Sequence, residues 1–154
     1  MDYWQNLRAA YGQDTLILTG ASAAIIRDDK ILLVRNKDYG QWQTPGGLQE
    51  IGESIQQTLE REIKEELNLE MKATRLISLY SHPQWTAAYP NGDRIQPLNL
   101  LFLMEGDIST LSIQESEICE ARFFAPEDIP QDTLGFAQQQ VIDWVQYRGE
   151  VIFR

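Results

Sequence analysis

The sequence predicts a mixed α/β fold, in which a mixed β-sheet carries helices on its faces. Three observations predict it. Strand-like apolar runs stand both before and after one strong amphipathic helix, Ser54 to Leu67. A second helical pattern, Leu134 to Tyr147, comes near the end of the chain. The length of 154 residues, with 43% hydrophobic and 23% charged side chains, is that of one globular domain able to bury its own core.

The elements follow in order. Tyr3 to Tyr11 reads as a short helix with Trp4, Leu7 and Tyr11 on one side. Leu16 to Ile26 is apolar with small residues and reads as a strand. Asp28-Asp29 marks a turn and Lys30 to Arg35 a second strand, so the pair is expected to form a hairpin. Gln43-Thr44 is a short strand ahead of Pro45-Gly46-Gly47. Ser54 with Gln57 forms a capping box, which satisfies N–H groups left free at a helix start. Leu76 to Tyr80 and Leu98 to Met104 are strands. Between them, Pro90-Asn91-Gly92-Asp93 carries the Asn-Gly pair typical of a hairpin turn. Cys119 to Phe124 is the last expected strand, with Cys119 a small core residue. The helix from Leu134 has Phe136, Val141, Trp144 and Val145 to bury.

The charge narrows the function. The net charge is -10 and no basic cluster exists, which excludes a plain nucleic-acid-binding face. An anionic substrate would need positive charge from elsewhere, and a divalent cation supplies it. No apolar run approaches the roughly 18 residues that span a bilayer, so no membrane partner is expected. The first ten residues lack the apolar block of a secretory signal. With Cys119 the single cysteine, no internal disulfide forms, and a cytoplasmic location is the default expectation.

Residues 50–70 hold seven Glu against one Arg and one Lys, a net -5. At about 100° per residue, with Glu62 at zero, Glu65 lies near 300° and Glu66 near 40°. The three carboxylates share an arc of about 100° beside the stripe of Ile55, Leu59, Ile63 and Leu67. Acids at this spacing repel one another, and the macrodipole disfavours them near a helix C-terminus. An acidic amphipathic helix is ordinarily a solvated face. A hard divalent cation would offset the repulsion, because Mg²⁺ takes carboxylate oxygens and keeps waters for substrate phosphates.

The flanking residues decide between these readings. Gly47 is followed after five residues by Glu53, and after seven more by Arg61-Glu62-Ile63-Lys64-Glu65-Glu66-Leu67-Asn68-Leu69. This resembles the signature of the Nudix hydrolases at eight of its nine specified positions, and Trp42 to Gly46 is similar to the family's lead-in. The departure is Asn68 where the family has Gly. Asn is the usual substitute at a left-handed helix end, so the carboxylates are left alone.

The resemblance implies an α/β/α sandwich with a central mixed sheet, covering residues 1–154 as one domain, with residues 1–13 an added helical segment. It implies Mg²⁺ or Mn²⁺ held by Glu62, Glu65 and Glu66 with the Gly46 carbonyl. Glu53 assists, and Arg61 orients the glutamates. It implies cleavage of a diphosphate linkage in a small nucleotide substrate: ADP-ribose, a nucleotide sugar, a dinucleoside polyphosphate or an oxidised nucleoside triphosphate. Glu115 or Glu117 is expected to supply a further ligand or the base. A homodimer is a family-level expectation.

Arg35 is a candidate for substrate phosphates. Tyr39, Trp42, Tyr80, Trp85 and Tyr89 are candidates to stack a nucleobase, against the plainer reading of core packing. His82 sits in a loop-like segment and reads as a surface residue, and Arg94 as an ion-pair partner. The competing function is a nucleotide-binding or regulatory module without hydrolysis, which would be expected to lose the glutamates this chain keeps. The Asp-rich spacing of a calcium-binding EF-hand loop is absent.

Overall fold

The computed structural model describes residues 2–154. The elements run α1 (Tyr3–Tyr11), β1 (Leu16–Ala24), β2 (Ile26–Arg27), β3 (Lys30–Asn36), β4 (Trp42–Gln43), β5 (Gly46–Leu48), α2 (Ile55–Leu67), β6 (Met71–Tyr80), β7 (Ala87–Ala88), β8 (Arg94–Gly106), β9 (Ile118–Phe124), α3 (Gly135–Gln146) and β10 (Ile152–Phe153). Single turns of 3₁₀-helix fall at Pro83–Trp85 and Pro126–Asp128.

The strands form two sheets. The larger follows the order β10-β6-β8-β1-β5, with β7 beside the first residues of β8. It is mixed: β1 runs parallel to β8 and β10 to β6, while β5, β6 and β7 pair antiparallel. In the smaller sheet β3 is central, with β2 and β4 on one side and β9 on the other.

The expected hairpin from Leu16 to Arg35 is therefore corrected. Its turn is real, with Asp28 and Asp29 both at positive φ (51° and 58°), the conformation a two-residue hairpin requires. Only β2 pairs back across it. The chain leaves the larger sheet at the fully buried Ile25, and β1 pairs with β5 and β8 instead. Apolar patterning identifies a strand but not its partner, so the sheet change was invisible in the sequence.

Two cores result. On one face Leu59, Ile63 and Leu67 of α2 are fully buried against Ala21, Ala23, Phe102 and Met104. On the other, Val141, Phe136 and Trp144 of α3 pack on Ala24, Ile77, Tyr80 and Leu101. β3 serves both, Leu32 and Val34 facing one cluster and Ile31 and Leu33 the other. Each fully buried Leu or Ile contributes about 1.5–3 kcal/mol. The α/β/α arrangement thus follows from helix stripes on opposite faces. Among the described residues, no helix is long and apolar enough to cross a membrane.

β1 has the composition Gly20-Ala21-Ser22-Ala23-Ala24 through its second half, and all five residues are buried, Gly20 against Leu48 and Asn99. Small side chains there let α2 and β5 approach the strand closely. Two other expectations change. Val145 lies on the outer side of α3, 45% exposed, because Trp144 takes the inward position. Cys119 is exposed, since β9 is an edge strand with one open face.

α1 forms where expected but buries no residue. Polar bonds hold it. Arg8 donates to the carbonyls of Gly12, Asp14 and Arg94 and pairs with Asp93 at 3.2 Å. The Tyr3 amide donates to the Glu50 carboxylate at 2.9 Å. Asp93 is thus paired by Arg8, and Arg94 contributes its carbonyl rather than the expected ion pair.

Candidate active site

The site begins with backbone that tolerates no side chain. Gly46 sits at φ +145°, and a Cβ there would lie 2.1 Å from the Ala21 carbonyl oxygen. A Cβ on Gly47 would stand 2.3 Å from the Glu62 carboxyl carbon. The two glycines therefore let β5 lie against β1 on one side and admit the Glu62 carboxylate on the other.

The helix that brings the glutamates is fixed at both ends. Ser54 Oγ accepts from the Gln57 amide at 3.2 Å, and Gln57 Oε1 accepts from the Ser54 amide at 2.8 Å. This is the capping box read from the sequence. Asn68 ends the helix in the left-handed conformation, φ 55° and ψ 34°, with its amide bonded to the Lys64 carbonyl. The Asn-for-Gly exchange thus leaves the helix terminus intact.

Arg61 gathers the acids. Its Nε donates to Glu53 Oε1 at 2.5 Å and its Nη2 to Glu53 Oε2 at 3.1 Å, a two-pronged grip. Nη1 reaches Glu62 Oε1 at 2.8 Å and Glu65 Oε2 at 3.1 Å, and Nη2 also bonds the Leu48 carbonyl. Glu53 accepts further from the Thr58 hydroxyl and the Glu50 amide. No motif in the sequence points to Thr58. A polar residue on the buried stripe, one turn before Glu62, was the available signal.

The environments of the glutamates differ. Arg61 beside Glu53 holds that carboxyl down to about 2. The Glu62 carboxyl is raised by burial, with Arg61 opposing the shift. Glu66 is 5% exposed, and burial pushes its carboxyl up to about 8, with Glu62, Glu117 and Glu65 adding repulsion. Its one hydrogen bond among the described residues comes from the Gly46 amide at 3.1 Å. Glu65 is the most open of the four motif acids, its side chain 59% exposed.

Hard oxygen donors crowded enough to disfavour their own ionisation are chemically suited to a divalent cation. Among the described residues, no three His, Cys, Asp or Glu side chains stand close enough to enclose an ion as they are. Glu62 and Glu65 both accept from Arg61 Nη1, while Glu66 is turned to the Gly46 amide. The exposed Glu65 has the freedom to turn from Arg61 toward Glu62 and Glu66.

The remaining candidates separate. The segment 108–117 lies along the end of α2, with the Ser112 and Gln114 amides bonded to the Leu67 and Glu66 carbonyls. This brings Glu117 near enough to repel Glu62 and Glu66. Glu115 instead contributes its carbonyl to Lys37 Nζ, at 2.9 Å. Arg35 is occupied by the Gly40 carbonyl and by Asp132, apart from the acidic arc.

Two stacking expectations give way to packing. Tyr80 is fully buried, its ring against Trp85 and Phe136 and its hydroxyl donating to Asp143. Trp42 is 4% exposed and meets Phe124 edge-on. Neither offers a face to a base. Trp85 is half-buried in the same aromatic group. Tyr39 and Tyr89 project from separate loops and meet at 5.9 Å between ring centroids, accessible in part. His82 is exposed and accepts the Gln84 amide at the start of a 3₁₀ turn, a structural role.

Comparison with known proteins agrees with this geometry. Residues 18–145 match the family model described as the NUDIX domain. The chain is 31% identical over 129 residues to the ADP-ribose pyrophosphatase of Methanocaldococcus jannaschii, covering 81% of this chain and 71% of that protein. It is 33% identical over 142 residues to the NAD-capped RNA hydrolase NudC of Actinobacillus succinogenes, covering 84% of this chain but 50% of that protein. The crystal structure of the MutT NUDIX hydrolase from Burkholderia pseudomallei superposes with a TM-score of 0.66 at 25% identity, covering 83% of this chain and 98% of that one.

The fold, the carboxylate-bearing helix and these likenesses together define a hydrolase acting on phosphoric anhydride bonds. The chain belongs to the Nudix family. It spans about half the length of the NudC relative, so that protein's activity as a whole does not transfer with the match.

Proposed function

We propose that this protein hydrolyses the diphosphate linkage of a small nucleoside diphosphate derivative with the help of Mg²⁺ or Mn²⁺. The observation that carries the reading is the pair of α2 carboxylates set against the β5 glycines, Glu66 buried on the Gly46 amide and Glu62 in the space Gly47 leaves, with the exposed Glu65 one turn from Glu62. Glu62, Glu65 and Glu66 with the Gly46 carbonyl would hold the cation. Bound there, it would neutralise diphosphate charge and lower the pKa of a coordinated water.

The chain's own residues do the rest. Arg61 and Glu53 form a fixed ion pair that sets the pitch of the acidic arc and stays charged across the physiological range. Glu66 gives up its proton when positive charge enters the site. Glu117 would supply a further ligand or the base, in preference to Glu115. Substrates of the ADP-ribose type are favoured, in keeping with the name of the Methanocaldococcus jannaschii relative.

The test is a panel of ADP-ribose, UDP-glucose, a diadenosine polyphosphate and an oxidised nucleoside triphosphate, assayed with Mg²⁺ and with Mn²⁺. The expected result is a nucleoside monophosphate product from at least one of them. Lack of turnover of the whole panel, or Glu65→Gln and Glu66→Gln variants as active as wild type, would defeat the proposal.

A further inference from the structure

A polar relay crosses the α3 face of the larger sheet. The Thr44 hydroxyl donates to Gln140 Oε1 at 2.5 Å. Gln140 Nε2 donates to Asn99 Oδ1 at 3.1 Å, and the Ser22 hydroxyl donates to the same oxygen at 3.1 Å. Thr44 and Ser22 are 6% exposed and Gln140 is fully buried, whereas Asn99 is only partly buried. Polar groups buried in a core cost stability unless hydrogen-bonded, so the relay has one energetically favoured arrangement.

That arrangement fixes the Asn99 amide. Its oxygen is saturated by two donors, which leaves Nδ2 pointing away from the relay with no acceptor among the described residues. Reversing both amides would take from the buried Thr44 hydroxyl proton the one acceptor it has among those residues. Asn99 is only partly buried, and its N–H₂ is not among the buried groups that lack a partner, so it is open to solvent. Position 20, directly across from Asn99 on β1, is glycine, and a Cβ there would lie 3.5 Å from Asn99 Nδ2 and 2.8 Å from the Gly47 carbonyl oxygen. Glycine at position 20 thus lets the backbone of β5 pack close beside the relay. Two strand spacings, roughly 10 Å, separate Asn99 from that edge.

We propose that Asn99 is a specificity-determining residue whose Nδ2 donates a hydrogen bond to a nucleobase carbonyl or ring nitrogen of the substrate, with Ser22, Gln140 and Thr44 as positioning residues. The inference rests on the diphosphatase reading for where the phosphates lie. The chemistry selects a neutral acceptor. Among the described residues, no Lys or Arg bonds into the relay, and a phosphate would call for charged donors. A donor held in one orientation discriminates, because a base that lacks the matching acceptor leaves it unpaired.

The experiment compares wild type with Asn99→Asp, which keeps the oxygen for Ser22 and Gln140 but removes the donor. Thermal unfolding and circular dichroism confirm that the variant folds. Binding of ADP, GDP, CDP, UDP and ribose 5-phosphate is measured by calorimetry, and KM and kcat by turnover of ADP-ribose and UDP-glucose. The expected result is affinity weakened roughly tenfold for the best-bound nucleotide, KM raised by more than kcat falls, and ribose 5-phosphate unaffected. Gln140→Glu, which removes one donor to the Asn99 oxygen, moves KM in the same direction by less. Equal or tighter nucleotide binding by Asn99→Asp overturns the inference, as does an equal loss for ribose 5-phosphate or no nucleotide binding by wild type. Turnover with unchanged binding defeats this inference and leaves the diphosphatase reading standing. Base-dependent binding without turnover does the reverse.

Discussion

The two ends of α2 place the same side chain in opposite conditions. At the start, Glu53 is gripped by both prongs of Arg61 and its carboxyl is held down to about 2. Thirteen residues later, Glu66 is buried among other acids and raised to about 8. A cation is already built into the first environment, and the second calls for one from outside. One end of the helix is therefore a permanent charge that fixes geometry, and the other a conditional charge that responds to a ligand.

The stability consequences have opposite signs. Below about pH 4.5 an unfolded Glu is protonated, and folded Glu66 keeps its proton up to about 8. The folded state thus holds the extra proton between those values, and the contribution of Glu66 to stability is lost as pH rises through that window. Glu53 contributes stability above about 4.5 that is lost as pH falls toward 2.

The largest effect that would break the comparison comes from Glu66→Gln. Turnover should fall on the order of a thousandfold, as for loss of a preorganised electrostatic group. The metal-free variant should nonetheless melt a few degrees above wild type at pH 8, with the gap shrinking toward pH 5. Added Mn²⁺ should narrow the gap at pH 8 by stabilising wild type alone. A variant less stable than wild type at pH 8 would mean that Glu66 is not held against its charge.

Next in size is Arg61→Gln. Activity should drop about 10–100-fold, the range for a residue that orients metal ligands. The acid limb of the stability profile should move up in pH as Glu53 returns toward the ordinary carboxylate range. Thermal midpoints measured from pH 2 to 6 would show it, and an unmoved limb would count against the clamp. The smallest effect sharpens the picture: Glu117→Gln should weaken Mn²⁺ binding several-fold. Glu115→Gln should change it by less than about twofold, since its carboxylate has no part in the arc. Titration calorimetry of both variants decides the point.

Features written in neighbouring residues were legible in the sequence. The Ser54 capping box, the left-handed Asn68, the Asp28-Asp29 turn and the phase of Glu62, Glu65 and Glu66 each depend on spacings of a few positions. Features that depend on distant partners were not. Whether Tyr80 faces solvent is decided by Phe136 and Asp143, far along the chain. Aromatic residues near turns therefore read as candidates for stacking in the sequence, whereas α3 covers Tyr80 in the structure. Nothing near Leu16 announces that β1 joins β8 rather than β3. The relay through Ser22, Thr44, Asn99 and Gln140 draws on four segments, and only the one around Thr44 carries a motif.

The run of small residues in β1 has a consequence for how this protein can change. Ala21 and Ala23 touch the layer beneath α2, while Ala21 also backs Gly46. The strand works as a spacer whose thickness, one methyl group deep, sets the height of the carboxylates above the β5 backbone. A larger residue there would lift the helix as a unit and shift every ligand atom together, with no motif position altered. The exposed ends of the loops are free to drift toward new substrates. This strand, which touches none of them, is where variation should be least tolerated.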